Sequence, residues 1–233
     1  RSPSVPMVEK RKFYLHIQVS IDALKEFGKS KKLGSLSNSM TCALTAAFFA
    51  ADPSLCKATV ANNLMFDADA PAGNHVCLKV ASIPAPACGH ALEARVDEGL
   101  QLAARTLQAR SQQVVDSLIA MASRSYALGN TYESLNPIIE SRQQNLDLLV
   151  SNLPAFETTT PACLDLQVVR DYDNWAPNIV YAIGCEGVLR LDCYFCVNPT
   201  FDGQVFKETI LKMGIVQTNG EYVNMHEKIP PSY

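Results

Sequence analysis

This chain of 233 residues lacks any apolar run of the roughly eighteen residues that a membrane-spanning helix needs. Its most hydrophobic stretch, residues 42–51, is alanine-rich and too short to cross a bilayer, so membrane contact is expected to be peripheral. Charged residues make up 18% and aromatics 8%, with a single tryptophan, against 48% hydrophobic residues; a large core can form and disorder throughout is excluded. The N-terminal residues lack the apolar core of a secretory signal, so the eight cysteines are expected as free thiols in a reducing compartment rather than as a disulfide framework.

Catalytic signatures are missing too. There is no Gly-x-Ser-x-Gly elbow, no Gly-x-x-x-x-Gly-Lys-Ser/Thr loop and no Gly-x-Gly-x-x-Gly after a strand. The four histidines, His16, His75, His90 and His226, are scattered without ligand spacing, and none is marked as a catalytic base. Cys193 and Cys196 have the CxxC spacing but fall within an expected strand, where residues three apart face opposite sides, and no second pair completes a zinc site. Asp171, Asp173 and Glu186 near Trp175 could form an acid pair, although acids beside turns are usually solvated. No metal or cofactor is implied, and an enzyme is the competing reading; loss of a conversion on changing His16 or Cys193 would support it.

What the chain does contain is an uneven charge distribution. Its net charge of −3 divides into +5 over residues 1–32 and −8 over the remainder. Lys10, Arg11 and Lys12, and then Lys29, Lys31 and Lys32, are candidate contacts for an anionic membrane or a nucleocapsid, at roughly 1 kcal/mol per residue near such a surface. The alternative is that they are solvated flanks of a strand.

Phe13, Leu15, Ile17, Val19 and Ile21 alternate with polar residues, the pattern of a half-buried strand. A basic loop around Gly28 and Gly34 leads to a helix capped at Ser37 that runs to about Ala51, with Met40, Leu44, Ala47 and Phe48 on one face; Asp52-Pro53 ends it. Residues 54–74 read as irregular and 76–83 as a strand. From about residue 90 to 127 apolar residues recur at three, four and seven, and a second helix is expected over 134–152. Strands return at 164–168, 178–183 and 188–197, then a helix over 202–213 and a hairpin at Thr218-Asn219-Gly220-Glu221. The sum is an α+β fold, a mainly antiparallel sheet packed with helices, with a long helical hairpin inserted at 90–152. Its expected divisions are a basic N-terminal arm (1–12), one α+β domain (13–226) and a tail (227–233).

The tail carries Pro230-Pro231-Ser232-Tyr233, which fits the PPxY ligand of WW domains, with Pro230, Pro231 and Tyr233 as the contacts. Order and local pattern resemble the rhabdovirus matrix proteins. Glu9-Lys10-Arg11-Lys12-Phe13-Tyr14-Leu15 precedes a Ser- and Ala-rich helix at 37–49. Pro177-Asn178-Ile179 and Gly187-Val188-Leu189-Arg190-Leu191 look like that family's late strands; Phe206-Lys207-Glu208, Met213-Gly214-Ile215-Val216 and Gly220-Glu221-Tyr222-Val223 look like its closing helix and hairpin.

The resemblance implies a viral matrix protein without an active site that self-associates, condenses the helical nucleocapsid and links it to the inner leaflet of the envelope for assembly and budding. Its implied partners are further copies of itself, the viral nucleocapsid, an anionic membrane surface and a host WW-domain ubiquitin ligase. Its implied locations are the virion beneath the envelope, and the host cytoplasm, membrane inner face and nucleus. The alternative within the same class is a viral coat or nucleocapsid protein that binds RNA through the basic N-terminal segment.

Overall fold

In a computed structural model, the described residues are 11–65, 76–87, 91–109, 147–156, 178–185, 187–216, 218–219, 222–223 and 225–227. Strand β1 (Arg11–Ser20) runs into α1 (Ile21–Lys31). Then come α2 (Leu36–Ala51), β2 (Lys57–Met65), β3 (Val76–Pro84) and α3 (Leu92–Ala109). Strands β4 (Leu148–Phe156), β5 (Asn178–Cys185) and β6 (Val188–Val197) precede α4 (Gly203–Lys212). The short strands β7 (Thr218–Asn219), β8 (Tyr222–Val223) and β9 (Met225–Glu227) follow.

Seven strands form one sheet in the order β3-β2-β4-β5-β6-β1-β9, and β7 pairs with β8 apart from it. The fold is α+β and the sheet is mixed: β4 lies parallel to both β2 and β5 in its middle, while the other four neighbouring pairs are antiparallel. The expected hairpin insert at 90–152 is corrected by the same strand. Leu148 and Val150 are fully buried against the helices, and Leu149 packs with the tyrosines of the opposite face, a period of two. Leu146, Leu149 and Val150 match a helical spacing equally well, so only tertiary pairing decides between them. The expected first helix is α3 as far as Ala109; residues 110–146 lie outside the described set, as does the expected strand at 164–168.

Two further expectations are corrected. The basic loop after β1 is the helix α1: Ser20 Oγ accepts from the Ala23 amide at 3.3 Å, and the chain leaves the helix at Lys32 in the left-handed conformation (φ 57°). Gly28, expected in a loop, lies within this helix, where a Cβ would stand 3.0 Å from Ser39 Cβ of α2. The irregular stretch after residue 54 contains β2, whose Ala58, Val60 and Ala61 are buried. Alanine and asparagine carry little strand propensity, and pairing with β3 on one side and β4 on the other supplies what propensity does not.

Helix α2 lies at the centre of the helical layer and packs against α1, α3 and α4. Its N-cap is Ser35 rather than Ser37, and it is buried on every side from Ser39 to Ala51, not along one stripe. Small residues permit this. Gly99 of α3 comes so close that a Cβ would stand 3.5 Å from Ala46 Cα, and the hydroxyls of Ser39, Thr41 and Thr45 donate to carbonyls one turn back at 2.7–2.9 Å. Asp52 ends the helix as expected; its Oδ1 accepts from the Ser54 amide (3.1 Å) and Thr200 Oγ1 (3.1 Å), and the Asp202 amide donates to Ala51 O at 2.8 Å. These contacts pin the end of α2 to the turn before α4. Beneath them Phe13, Phe48, Phe195, Phe201 and Phe206 form a cluster with neighbouring ring centroids 5.3–6.1 Å apart.

Candidate functional site

Alternation along β1 and β6 divides the sheet into two unlike faces. Leu15, Ile17, Val19, Leu189, Leu191, Cys193 and Phe195 point into the core beneath the helices. Tyr14, His16, Asp192 and Tyr194 stand on the other face. His16 is registered directly opposite Asp192, and Tyr14 opposite Tyr194. Asp192 is fully buried, Tyr14 is 4% exposed and Tyr194 6%, so this face is covered at its centre.

Here two of these side chains converge on one oxygen of a third. Tyr14 Oη donates to Asp192 Oδ1 at 2.9 Å, and His16 Nδ1 lies 2.8 Å from the same atom. A carboxylate only accepts, so Nδ1 carries the proton of this contact, and in a neutral ring Nε2 is then the acceptor. The His16 side chain retains 13% exposure. The contact therefore fixes the imidazole through Nδ1, the orientation that a histidine acting as a general base through its other nitrogen requires. Tyr14, Tyr194 and Tyr181 extend the site as an aromatic row, with centroids 4.7 Å and 6.2 Å apart, joined by Ile179 and Leu149.

The sequence pointed past this constellation. In the sequence His16 is one of four scattered histidines, and Tyr14 and His16 fall on the polar side of a strand expected to be half-buried. A signal was nevertheless present: Asp192 stands with Arg190 as one of two charged residues in the strand Val188–Val197, and an acid within such a strand calls for donors. Cys193 and Cys196 lie on opposite faces as their spacing implied. Cys193 is fully buried, and burial, reinforced by the charge of Asp192, pushes its thiol well above its ordinary value, which suppresses the nucleophilic thiolate.

Arg11 and Lys12 open β1, paired with Val197 and Cys196. Lys29 sits 3.5 Å from Glu26, and Lys31 bonds Asp97 of α3 at 2.7 Å, so both share their charge with an acid. Lys32 is the exposed residue that ends α1. Lys10, Pro230, Pro231 and Tyr233, and the acids Asp171, Asp173 and Glu186, lie outside the described residues. Among the described residues no helix is long and apolar enough to cross a membrane, and no group of three or more His, Cys, Asp or Glu could hold a metal ion.

No family model and no curated protein matches the chain. Solved structures do. A nonribosomal peptide synthetase, FmoA3, in its AMPPNP-bound form matches at a TM-score of 0.51 and 14% identity, over 95% of this chain and 24% of that one. The same synthetase bound to α-methyl-L-serine-AMP matches at 0.50 and 13%, over 87% and 22%. A structure of condensation domain-mediated chain release from the enacyloxin polyketide synthase matches at 0.45 and 10%, over 96% and 44%. The chain spans less than half the length of the first structures it matches. At these identities the likeness establishes the fold alone, one also found within a nonribosomal peptide synthetase. It overturns the expected viral matrix protein, and with it the expectation of a chain without enzymatic chemistry and the picture of virion and budding.

Proposed function

We propose that this chain is part of an acyl or peptidyl transferase, in which His16, held by Asp192, takes the proton from an amine or hydroxyl as that group attacks an activated acyl group. The observation that carries the reading is the 2.8 Å contact between His16 Nδ1 and a fully buried Asp192, with Tyr14 bonded to the same oxygen. The choice of acyl transfer over other proton-transfer reactions is supported by the fold shared with peptide synthetases.

The steps balance simply. The nucleophile forms a bond to the acyl carbon as its proton passes to Nε2; the tetrahedral adduct collapses, the leaving group departs, and Nε2 returns the proton to it. Asp192 fixes the ring orientation and offsets the positive charge while His16 is doubly protonated. The test is aminolysis of N-acetylcysteamine thioesters, acetyl and aminoacyl, by primary amines in the presence of the full chain. His16→Gln is expected to lower the transfer rate by about a hundredfold or more. Equal rates for variant and wild type, or no turnover of any thioester by either, would overturn the proposal.

A further inference from the structure

On the other side of the sheet, among the helices, a cleft of about 490 Å³ opens between the end of α1, the start of α3 and the end of α4. Its apolar lining comes from Phe27, Leu92, Val96, Leu100 and Met213. The volume falls in the range of small-molecule sites. The charges at its rim are what define a ligand. Lys31 and Asp97 neutralise each other across the α1–α3 boundary at 2.7 Å. Glu93 on α3 and Lys212 on α4 face the same cleft from different helices, yet they form no ion pair with each other or with any other described residue. An apolar floor flanked by one unmatched carboxylate and one unmatched ammonium complements a molecule with an ammonium, a carboxylate and an apolar side chain.

The geometry points to a binding site for a free apolar α-amino acid, held as its zwitterion with the ammonium at Glu93, the carboxylate at Lys212 and the side chain against Val96, Leu100 and Met213. A fatty acid or other simple anion would satisfy Lys212 and leave Glu93 repelling it; an amine would do the reverse. Because both charges are exposed, each contact contributes modestly and binding is weak. The site is independent of the transfer reading, being separated from His16 by the sheet itself.

The experiment is a titration of the full chain, labelled with ¹³C at the methionine methyls, with L-phenylalanine, N-acetyl-L-phenylalanine and L-phenylalaninamide. Phenylalanine is expected to shift the Met213 methyl saturably. Each blocked analogue is expected to bind about fivefold more weakly, the worth of one exposed charge contact. Glu93→Gln should erase the preference for phenylalanine over the N-acetyl form, and Lys212→Gln its preference over the amide. His16→Gln should bind phenylalanine as the wild type does, which separates this result from that of the transfer assay. No saturable shift, or equal binding of phenylalanine and its N-acetyl form, would overturn the assignment.

Discussion

Removing the Tyr14 hydroxyl takes a donor from the fully buried Asp192 Oδ1 and replaces it with nothing. Tyr14→Phe is therefore expected to cost about 1–3 kcal/mol of stability, the desolvation of an under-bonded buried group, read by urea denaturation; a change under a few tenths would mean the bond is not maintained in solution. Cys193 gives a prediction in pH. Its folded-state thiol ionises well above the ordinary value of 9.0, so the folded protein holds this proton more tightly than the unfolded chain. Stability from this source is complete below about pH 9 and declines as pH rises, by up to about 1.4 kcal/mol per pH unit for one proton. The difference in unfolding free energy between wild type and Cys193→Ala, followed from pH 8 upward, should show that slope; a flat difference would contradict it. At this scale the sequence revealed which residues of β1 and β6 alternate, but not that both faces are covered. Covering turns Tyr14 and His16 from solvated residues into partners of a buried acid.

Elements whose own residues favour their structure were legible, and those made by their neighbours were not. Strands β1, β3, β5 and β6 announce themselves through β-branched and aromatic alternation, and α4 through Asp202, whose carboxylate accepts from the amides of Gln204 and Val205 at 2.9 and 3.1 Å. Strand β4 was hidden because Leu-rich segments fit both periods, and β2 because Lys57-Ala58-Thr59 and Asn62-Asn63 look like a loop. Helix α1 was masked by Gly28, whose missing side chain serves contact with α2 rather than a turn. Gly28→Val is accordingly expected to destabilise by about 1–3 kcal/mol through overpacking against Ser39, and pairing it with Ser39→Gly should recover part of that loss; additive effects would contradict direct contact.

For the whole molecule, the helical layer and the sheet share one core, centred on α2 and the phenylalanine cluster. Phe195→Ala, which empties the middle of that cluster, is expected to cost about 3–5 kcal/mol by denaturant unfolding. The same core places the two candidate sites on opposite sides of one sheet: a polar constellation of Tyr14, His16 and Asp192 on one face, and a charged-rimmed cleft among the helices on the other. Sequence pattern alone led to a viral assembly protein because local strand and helix signals recur in unrelated folds. The parallel placement of β4 depends on contacts between residues far apart in the chain, and no local pattern encodes it.

The central claim rests on Asp192 holding His16 with Nε2 free to accept a proton. Asp192→Asn keeps the size of the side chain and an oxygen that can accept from Tyr14 and His16, but it removes the negative charge that offsets the doubly protonated imidazole, so the base is weakened. The most direct measurement is the acyl-transfer rate of Asp192→Asn relative to wild type, with folding of both verified by circular dichroism. A loss of about a hundredfold or more is predicted; an equal rate in a folded variant would contradict the account.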